Sequence, residues 1–225
     1  GTGSIARTDI AEVAMPVGAF RIPPLELEEM LPQQQLMLQV AAAALDDARS
    51  DRDLGNHTGV FVGINLDPNT TNFHGRWSLE EFAPEWAARL GWTLSSDEMT
   101  AWVQRLREAF GPPLTANRVM GNLGGIVASR LAREFDVGGP SFTISSDETS
   151  GLQALQVAIR ALQQGELERA LVGAVDFQSD VRLAGRESRV ESREPENSAG
   201  DAAVAFILKR QEDAVRDGDR IYALV

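Results

Sequence analysis

The sequence predicts an α/β fold with a mixed, mostly parallel β-sheet, and three buried-strand patterns support this prediction. Compact apolar or β-branched runs occur at Thr58–Asn65, Ala170–Asp176 and Asp201–Arg210. Helical apolar spacing separates them, most clearly at Leu25–Ala48 and Leu152–Leu162. Strands that alternate with helices are typical of sheets flanked by helices, and we expect about five strands.

Composition excludes several classes of function. The chain has 225 residues, of which 43% are apolar, and 33 acidic against 21 basic residues give a net charge of −12. Nucleic acids and anionic membranes are poor partners for such a chain, because their binding depends on clustered Lys and Arg. No apolar run approaches the ~20 residues that cross a bilayer. An acidic, cytoplasmic domain is therefore the expectation.

Cysteine and histidine usage limits the possible chemistry. The absence of cysteine excludes disulfides, thiolate metal sites and thiol catalysis within this chain. His57 and His74 lie in polar, loop-like surroundings without ligand spacing, and we interpret both as surface residues. The sequence therefore predicts no metal site and no cofactor.

The first half of the chain contains an irregular segment, a helix and a strand, followed by a long insertion. Residues 1–24 are predicted to be irregular, Gly1–Ser4 resemble a cloning remnant, and Pro32 begins the first long helix. Residues 66–115 form a helical insertion with helices near Leu79–Leu90 and Ser96–Phe110, the second capped by Ser96. Its four tryptophans indicate a local mini-core or a contact surface, and we favour the mini-core; they are Trp77, Trp86, Trp92 and Trp102.

Glycines interrupt the next helical pattern. Apolar residues spaced three to four apart predict one helix over Ala116–Phe135, although Gly121, Gly124 and Gly125 lie inside it. Each glycine costs roughly 1 kcal/mol relative to alanine in a helix interior. We therefore expect another part of the molecule to approach the backbone closely there.

The most informative stretch is Gly139–Asp176, which predicts a short strand, a sharp turn into a helix, and a second buried strand. We call residues 145–149 of the turn the elbow. Backbone N–H groups at such a helix start stabilise negative charge, and several enzyme families present a nucleophile there. Capping alone also explains these residues: Ser145 or Ser146 would cap the helix, with Asp147 and Glu148 in its first turn. From the residues alone, capping is the favoured account.

The remaining chain completes the pattern. Residues 177–199 are polar and charged, which predicts a solvated loop. After the strand at Asp201–Arg210, a short helical turn is expected over Gln211–Asp219 and another strand at Ile221–Val225.

Several blocks, in order, resemble the N-terminal half of a ketosynthase (β-ketoacyl synthase) of the thiolase superfamily. They are MLPQQQLMLQVAAAALDDA (30–48), TGVFVG (58–63), ANRVMGNLGGIVASRLAREFDVGGPSFTI (116–144), LERALVGAVD (167–176) and AAVAFILKRQEDAVRDGDRIYALV (202–225). The first block, preceded by IPPLELEE, is most similar to synthases of polyunsaturated fatty acids and iterative type I polyketides. The resemblance implies that residues 1–225 form a thiolase-like half-domain.

The resemblance also implies a missing nucleophile. Glu148 falls where the family has its reactive cysteine. The residues around it at the helix N-terminus are Ser145, Ser146, Asp147 and Thr149. The family's catalytic histidines, lysine and gating phenylalanine come from a second half, and neither His57 nor His74 matches them. The segment 177–199 is shorter than the family's connection and lacks its usual landmarks. Condensation by this chain is therefore not expected.

Three functions remain open on this basis. The preferred one is a non-condensing, chain-length-factor-like partner domain of a fatty-acid or polyketide synthase. The alternatives are a loading-type malonyl-carrier decarboxylase, as in relatives with glutamine in place of cysteine, and a docking or scaffold fragment. The resemblance implies a homodimer or a ketosynthase partner through residues 139–164, and an acyl carrier protein as a further partner.

Overall fold

A four-stranded mixed sheet forms the centre of the chain in a computed structural model that describes residues 13–49, 54–65, 67, 70–121, 123–177 and 200–225. The strands are β1 (Thr58–Ile64), β2 (Ser141–Ile144), β3 (Arg169–Asp176) and β4 (Ala202–Lys209). Their spatial order is β2-β1-β3-β4. β1 is parallel to β2 and β3, whereas β4 is antiparallel to β3. The predicted α/β class and mostly parallel sheet are confirmed.

The expected strand at Ile221–Val225 is absent, so the described part of the chain has four strands rather than about five. These five residues are exposed and have no regular structure. An isolated extended segment gains no ladder hydrogen bonds, so its apolar residues alone do not make it a strand.

Eight helices accompany the sheet within the described residues. Proline at the first position of α2 has a fixed φ that suits a helix start, which confirms the prediction for Pro32. The helices are α1 (Pro24–Glu28), α2 (Pro32–Asp47), α3 (Thr70–Arg89), α4 (Ser96–Phe110), α5 (Ala116–Gly121), α6 (Ile126–Glu134), α7 (Ser150–Gln163) and α8 (Gln211–Asp217).

The two faces of the sheet are covered unequally. α2 and α6 pack on one face, where Val60, Val62 and Ile64 of β1 join the larger core cluster. α7 packs on the other face, where Phe61 joins a second cluster. This division follows from the two-residue period of a strand, which sends successive side chains to opposite faces. Both faces of β1 are buried, as its continuous apolar run predicts.

The glycines in the predicted helix 116–135 break it rather than admit a close neighbour. α5 ends at Gly121, and α6 begins at Ile126. A Cβ added at Gly124 or Gly125 would meet nothing within 4 Å, so the expected close approach is wrong there. The helix cost of glycine is avoided because these two residues are not in a helix interior.

The segment before α2 is fastened to α5 and α6 by ion pairs and backbone hydrogen bonds. Both carboxylate oxygens of the buried Glu134 accept from the Arg21 N–H, at 3.1 and 2.9 Å. Arg130 pairs with Glu26 at 2.5 Å. Arg118 pairs at 3.3 Å with Glu29. The segment before α2, including α1, is thus held by specific polar contacts rather than by a ladder.

α3 and α4 form a helical hairpin with its own small core. Leu79, Ala83 and Val103 are buried between the helices, with Trp86 and Trp102 packed against them. This is the expected mini-core, but it holds only part of the tryptophan set: the exposed fraction is 75% for Trp77 and 50% for Trp92.

The cap of α4 differs from the prediction by one residue. Ser95, not Ser96, is the N-cap, and Glu98 completes a capping box by accepting from the Ser95 N–H at 2.8 Å. Hydrogen bonds from the backbone and side chain of Ser95 lower the pKa of Glu98. Shifting the cap by one position places the glutamate at the third helical residue, where the reciprocal bonds can form.

The segment predicted as a loop, residues 177–199, lies almost wholly outside the described part of the chain. Phe177 is described and is buried in the larger core cluster, so the solvated loop does not begin before it. None of the described helices is long and apolar enough to span a membrane.

Candidate functional site

The elbow lies at the carboxyl end of β2, where the chain turns into α7. Since β1, β2 and β3 are parallel, their carboxyl ends meet at the same edge of the sheet. Asn65, which follows β1, donates a hydrogen bond from Nδ2 to Asp176 Oδ2 at 3.0 Å and so ties the ends of β1 and β3. The elbow therefore lies on the edge where open α/β sheets commonly place their ligands.

Glycines bring the start of α7 unusually close to the sheet. A Cβ added at Gly63 would lie 2.5 Å from the carbonyl carbon of Ser150 and 2.6 Å from Gly151 Cα. A Cβ added at Gly151 would lie 2.9 Å from Ala174 Cβ. The helix start is thus seated on β1 by backbone contact and on the Ala174 side chain of β3, which fixes the height of the elbow above the sheet. Neither Gly63 nor Gly151 was identified as a site residue from the sequence.

Hydroxyl groups hold the elbow together. Ser150 Oγ accepts from the Ser146 N–H at 2.8 Å and donates to the Asp147 carbonyl at 2.6 Å. Thr149 Oγ1 donates to the Ser146 carbonyl at 2.8 Å and lies 3.0 Å from Ser146 Oγ. Asp147 adopts a left-handed conformation with φ of 47°. The run of small hydroxyl residues is the sequence signal that could have revealed this network.

The predicted capping account of the elbow is wrong in its details. α7 begins at Ser150, so Asp147 and Glu148 precede the helix instead of occupying its first turn. The N-cap position is Thr149, which makes no side-chain capping bond, and neither Ser145 nor Ser146 caps the helix. Ser146 and Glu148 instead form an isolated bridge across the turn. The residues that were expected to cap α7 instead form the sharp turn that contains the left-handed Asp147.

The predicted site residues are together and open to solvent. Residues 145–149 are all exposed, and Glu148 lies two residues before the start of α7. A carboxylate near a helix N-terminus is stabilised by the helix dipole, which is strongest within the first turn.

The histidines do not complete a catalytic set with the elbow. His57 precedes β1 at its amino end, where its carbonyl accepts from the Glu168 N–H at 2.9 Å. A seven-residue strand separates it from the elbow edge, a span of about 20 Å. His74 is exposed on α3. Within the described residues, no three His, Cys, Asp or Glu side chains are grouped so that they could hold a metal ion.

The mixed sheet with its flanking helices is a thiolase-like α/β fold. The chain belongs to the β-ketoacyl synthase family: residues 10–214 match the family model described as "Beta-ketoacyl synthase, N-terminal domain". The family resemblance drawn from the sequence blocks is thereby confirmed.

Curated relatives include multifunctional synthases. The chain is 30% identical to the highly reducing polyketide synthase sphB of Aspergillus fumigatus, over 94% of this chain and 8% of that protein. It is 27% identical to a polyunsaturated fatty acid synthase component of Thraustochytrium sp., over 96% of this chain and 10% of that protein. The chain therefore spans about a tenth of the length of such relatives.

Solved ketosynthases have a similar fold. A mutant form of the ketosynthase from module 6 of the bacillaene synthase of Bacillus subtilis 168 matches with a TM-score of 0.58 and 26% identity, over 90% of this chain and 28% of that chain. A structure described as "PfaC Keto synthase-Chain length factor" matches with a TM-score of 0.71 and 21% identity, over 84% of this chain and 21% of that chain. The second likeness shows the fold alone.

Proposed function

We propose that this chain is the N-terminal half of a non-condensing ketosynthase-like domain, with a structural, chain-length-factor-like role in a polyunsaturated fatty acid or polyketide synthase. The observation that carries the proposal is Glu148 at the elbow of a chain without cysteine. Condensation requires a nucleophile that holds the growing acyl chain as a thioester. An acyl–carboxylate anhydride is too labile for that purpose.

The elbow geometry supports a role for Glu148 as a fixed anion. Glu148 lies two residues before the first residue of α7, a helix of 14 residues whose N-terminal dipole favours negative charge. A carboxylate there would occupy the position of the family's thiolate but would not form the thioester that condensation requires. The backbone turn and the seating of α7 would be preserved while the reaction is lost.

The remaining surface favours association. β2 is an edge strand with one strand neighbour in the described part of the chain, and Phe142 on it is 42% exposed. Pairing of residues 139–146 across a twofold axis, supported by α7, would form a homodimer or a ketosynthase–partner pair. Light scattering on the purified chain tests this: a strict monomer at micromolar concentration contradicts it.

A second layer is expected over α7. The exposed fraction is 69% for Leu152 on α7 and 51% for Phe206 on β4. Apolar side chains this exposed on a face covered by one helix are typical of a contact surface. We propose that the second ketosynthase half of the parent protein covers this face, as the resemblance implies.

Decarboxylation is the enzymatic alternative, and it has a direct test. A malonyl thioester would lose CO₂, and the resulting enolate would take up a proton to give the acetyl thioester. A carboxylate at position 148 would repel the developing enolate, whereas the amide of an E148Q variant could donate a hydrogen bond to it. We expect the full-length parent protein to leave malonyl-carrier protein intact and E148Q to raise acetyl-carrier formation.

The result that overturns the proposal is acetyl-carrier formation by the wild-type parent protein at a rate equal to or above that of E148Q. An E81Q variant is the matched control, because Glu81 is an exposed glutamate on the α3–α4 hairpin. It should behave as the wild type does.

A further inference from the structure

We propose that Ser150 is a positioning residue of the elbow: its buried hydroxyl holds the backbone turn that orients the side chain at position 148. The inference relies on the proposed function only for the location of the site. It assigns a role to a residue that neither the family's nucleophile position nor the predicted cap includes.

Two hydrogen bonds of one hydroxyl span the turn. Ser150 Oγ accepts from the Ser146 N–H at 2.8 Å and donates to the Asp147 carbonyl at 2.6 Å. A serine hydroxyl can donate and accept at once, so the bonds do not compete. Together they hold the peptide group before Ser146 and the peptide group after Asp147, and so restrain the two residues between them.

Asp147 needs such a restraint. Its φ of 47° lies in the left-handed region, which L-residues other than glycine adopt at an energetic cost. Aspartate tolerates this region better than most residues, but it remains there only when surrounding contacts favour it. The bonds from Ser150 are such contacts, and they act on the residue that directly precedes Glu148.

Ser150 is better suited to this role than its neighbour Thr149. Ser150 is 5% exposed, whereas Thr149, which bonds the Ser146 carbonyl, is exposed. Burial removes water as a competing partner for the Ser150 hydroxyl. The Ser150 backbone is also confined, because its carbonyl carbon lies 2.5 Å from where a Cβ at Gly63 would be. The Ser150 hydroxyl is therefore held in a fixed position relative to the sheet.

Loss of the hydroxyl should reorient position 148. The Ser146 N–H and the Asp147 carbonyl would lose these bonds, and Asp147 could relax toward negative φ. Because residue 148 follows directly, its Cα–Cβ direction would no longer be fixed relative to the start of α7. The side chain would then sample orientations farther from the helix N-terminus and its field.

A single introduced thiol reports this orientation. The chain has no cysteine, so E148C carries one reactive thiol. Alkylation by iodoacetamide, in which the thiolate displaces iodide to form a thioether, is followed from pH 6 to 10 and gives the thiol pKa and limiting rate. We compare E148C with E148C/S150A, with the conservative E148C/S150T, and with E148C/S129A as the matched control. Ser129 is an exposed α6 serine that donates to the Gly125 carbonyl at 3.4 Å.

We expect alkylation at pH 7 to be roughly two- to fivefold slower in E148C/S150A, with a raised thiol pKa, because the helix field weakens beyond the first turn. E148C/S150T should restore the E148C profile, and E148C/S129A should match it. Unchanged profiles in E148C/S150A, or equal slowing in the S129A control, would overturn the proposal.

A second measurement covers the case in which E148C/S150A does not fold. Hydrogen exchange at the Ser146 amide of the unsubstituted protein should be slow, since its acceptor is buried, and S150T should keep that protection. Fast exchange at this amide in the unsubstituted protein contradicts the role of Ser150. The assays contain no carrier protein, so their failure leaves the proposed function to its own test.

Discussion

Because the start of α7 lies against Gly63 of β1, we expect a side chain at position 63 to destabilise the fold. In a G63A variant the added methyl would lie 2.5 Å from the Ser150 carbonyl carbon and 2.6 Å from Gly151 Cα. Both are backbone atoms, which cannot rotate away as a side chain could, so α7 must move off the sheet. Overpacking of this kind costs about 1–3 kcal/mol, and we expect a loss near the upper end of that range.

Urea unfolding, followed by circular dichroism, measures this loss. For a slope of about 2–3 kcal/mol per molar, a loss of about 3 kcal/mol lowers the midpoint by about 1–1.5 M. G125A is the matched control: Gly125 has φ of −66°, and a Cβ there would meet nothing within 4 Å. It should be neutral or stabilising by up to about 1 kcal/mol.

A second pair of variants tests the same contact from the helix side. In G151A the new methyl would lie 2.9 Å from Ala174 Cβ, and the further substitution A174G removes that neighbour. The double variant should therefore recover part of the stability that G151A loses. Equal midpoints for G63A and G125A, or no recovery in G151A/A174G, would refute the argument that backbone contact positions the elbow.

Three further predictions concern other parts of the chain. Hydrogen bonds from Lys209 and Arg216 lower the pKa of Asp217 to about 2. Since the pKa is depressed in the folded state, the ionised Asp217 stabilises the fold above about pH 4, and this stabilisation is lost as the pH falls to 2. D217N should therefore flatten this part of an acid-unfolding curve. W102A should destabilise the hairpin by about 2–4 kcal/mol in urea unfolding, because Trp102 packs on the mini-core. W77A should change stability by less than about 0.5 kcal/mol, because Trp77 is exposed. Equal effects of the two substitutions would contradict the mini-core. S95A should lower the stability of α4 by about 1 kcal/mol, measured by thermal unfolding against S96A, and a larger loss in S96A would contradict the assignment of the cap.

The spacing of apolar residues along the sequence was sufficient to predict most of the helices and strands. The buried run at 58–65 and the helical pattern at 96–110 correspond closely to β1 and α4. Both have strong periodic or continuous apolar signals, which depend on neighbouring residues in the chain. The segment predicted as a strand at 221–225 had the same kind of signal, but it pairs with no strand in the described part of the chain.

The elbow was located from the sequence, but its geometry was not. The residues from Ser145 to Thr149 are adjacent in the chain, so their proximity was never in doubt. The left-handed Asp147 and the two bonds of Ser150 depend on where α7 lies relative to β1. An ordinary cap was the better local hypothesis, and the contact of Gly63 with the helix start is made between residues distant in sequence.

By itself, the sequence determined the α/β class, the family blocks and the glutamate in a chain without cysteine, because composition, periodicity and residue identity are properties of the chain alone. Only the tertiary structure decided that the glycines at 124 and 125 lie between two helices, that two tryptophans remain exposed, and that a buried serine hydroxyl holds the elbow. These outcomes depend on which backbone atoms from distant segments come within van der Waals distance, and close packing of the interior makes such contacts decisive.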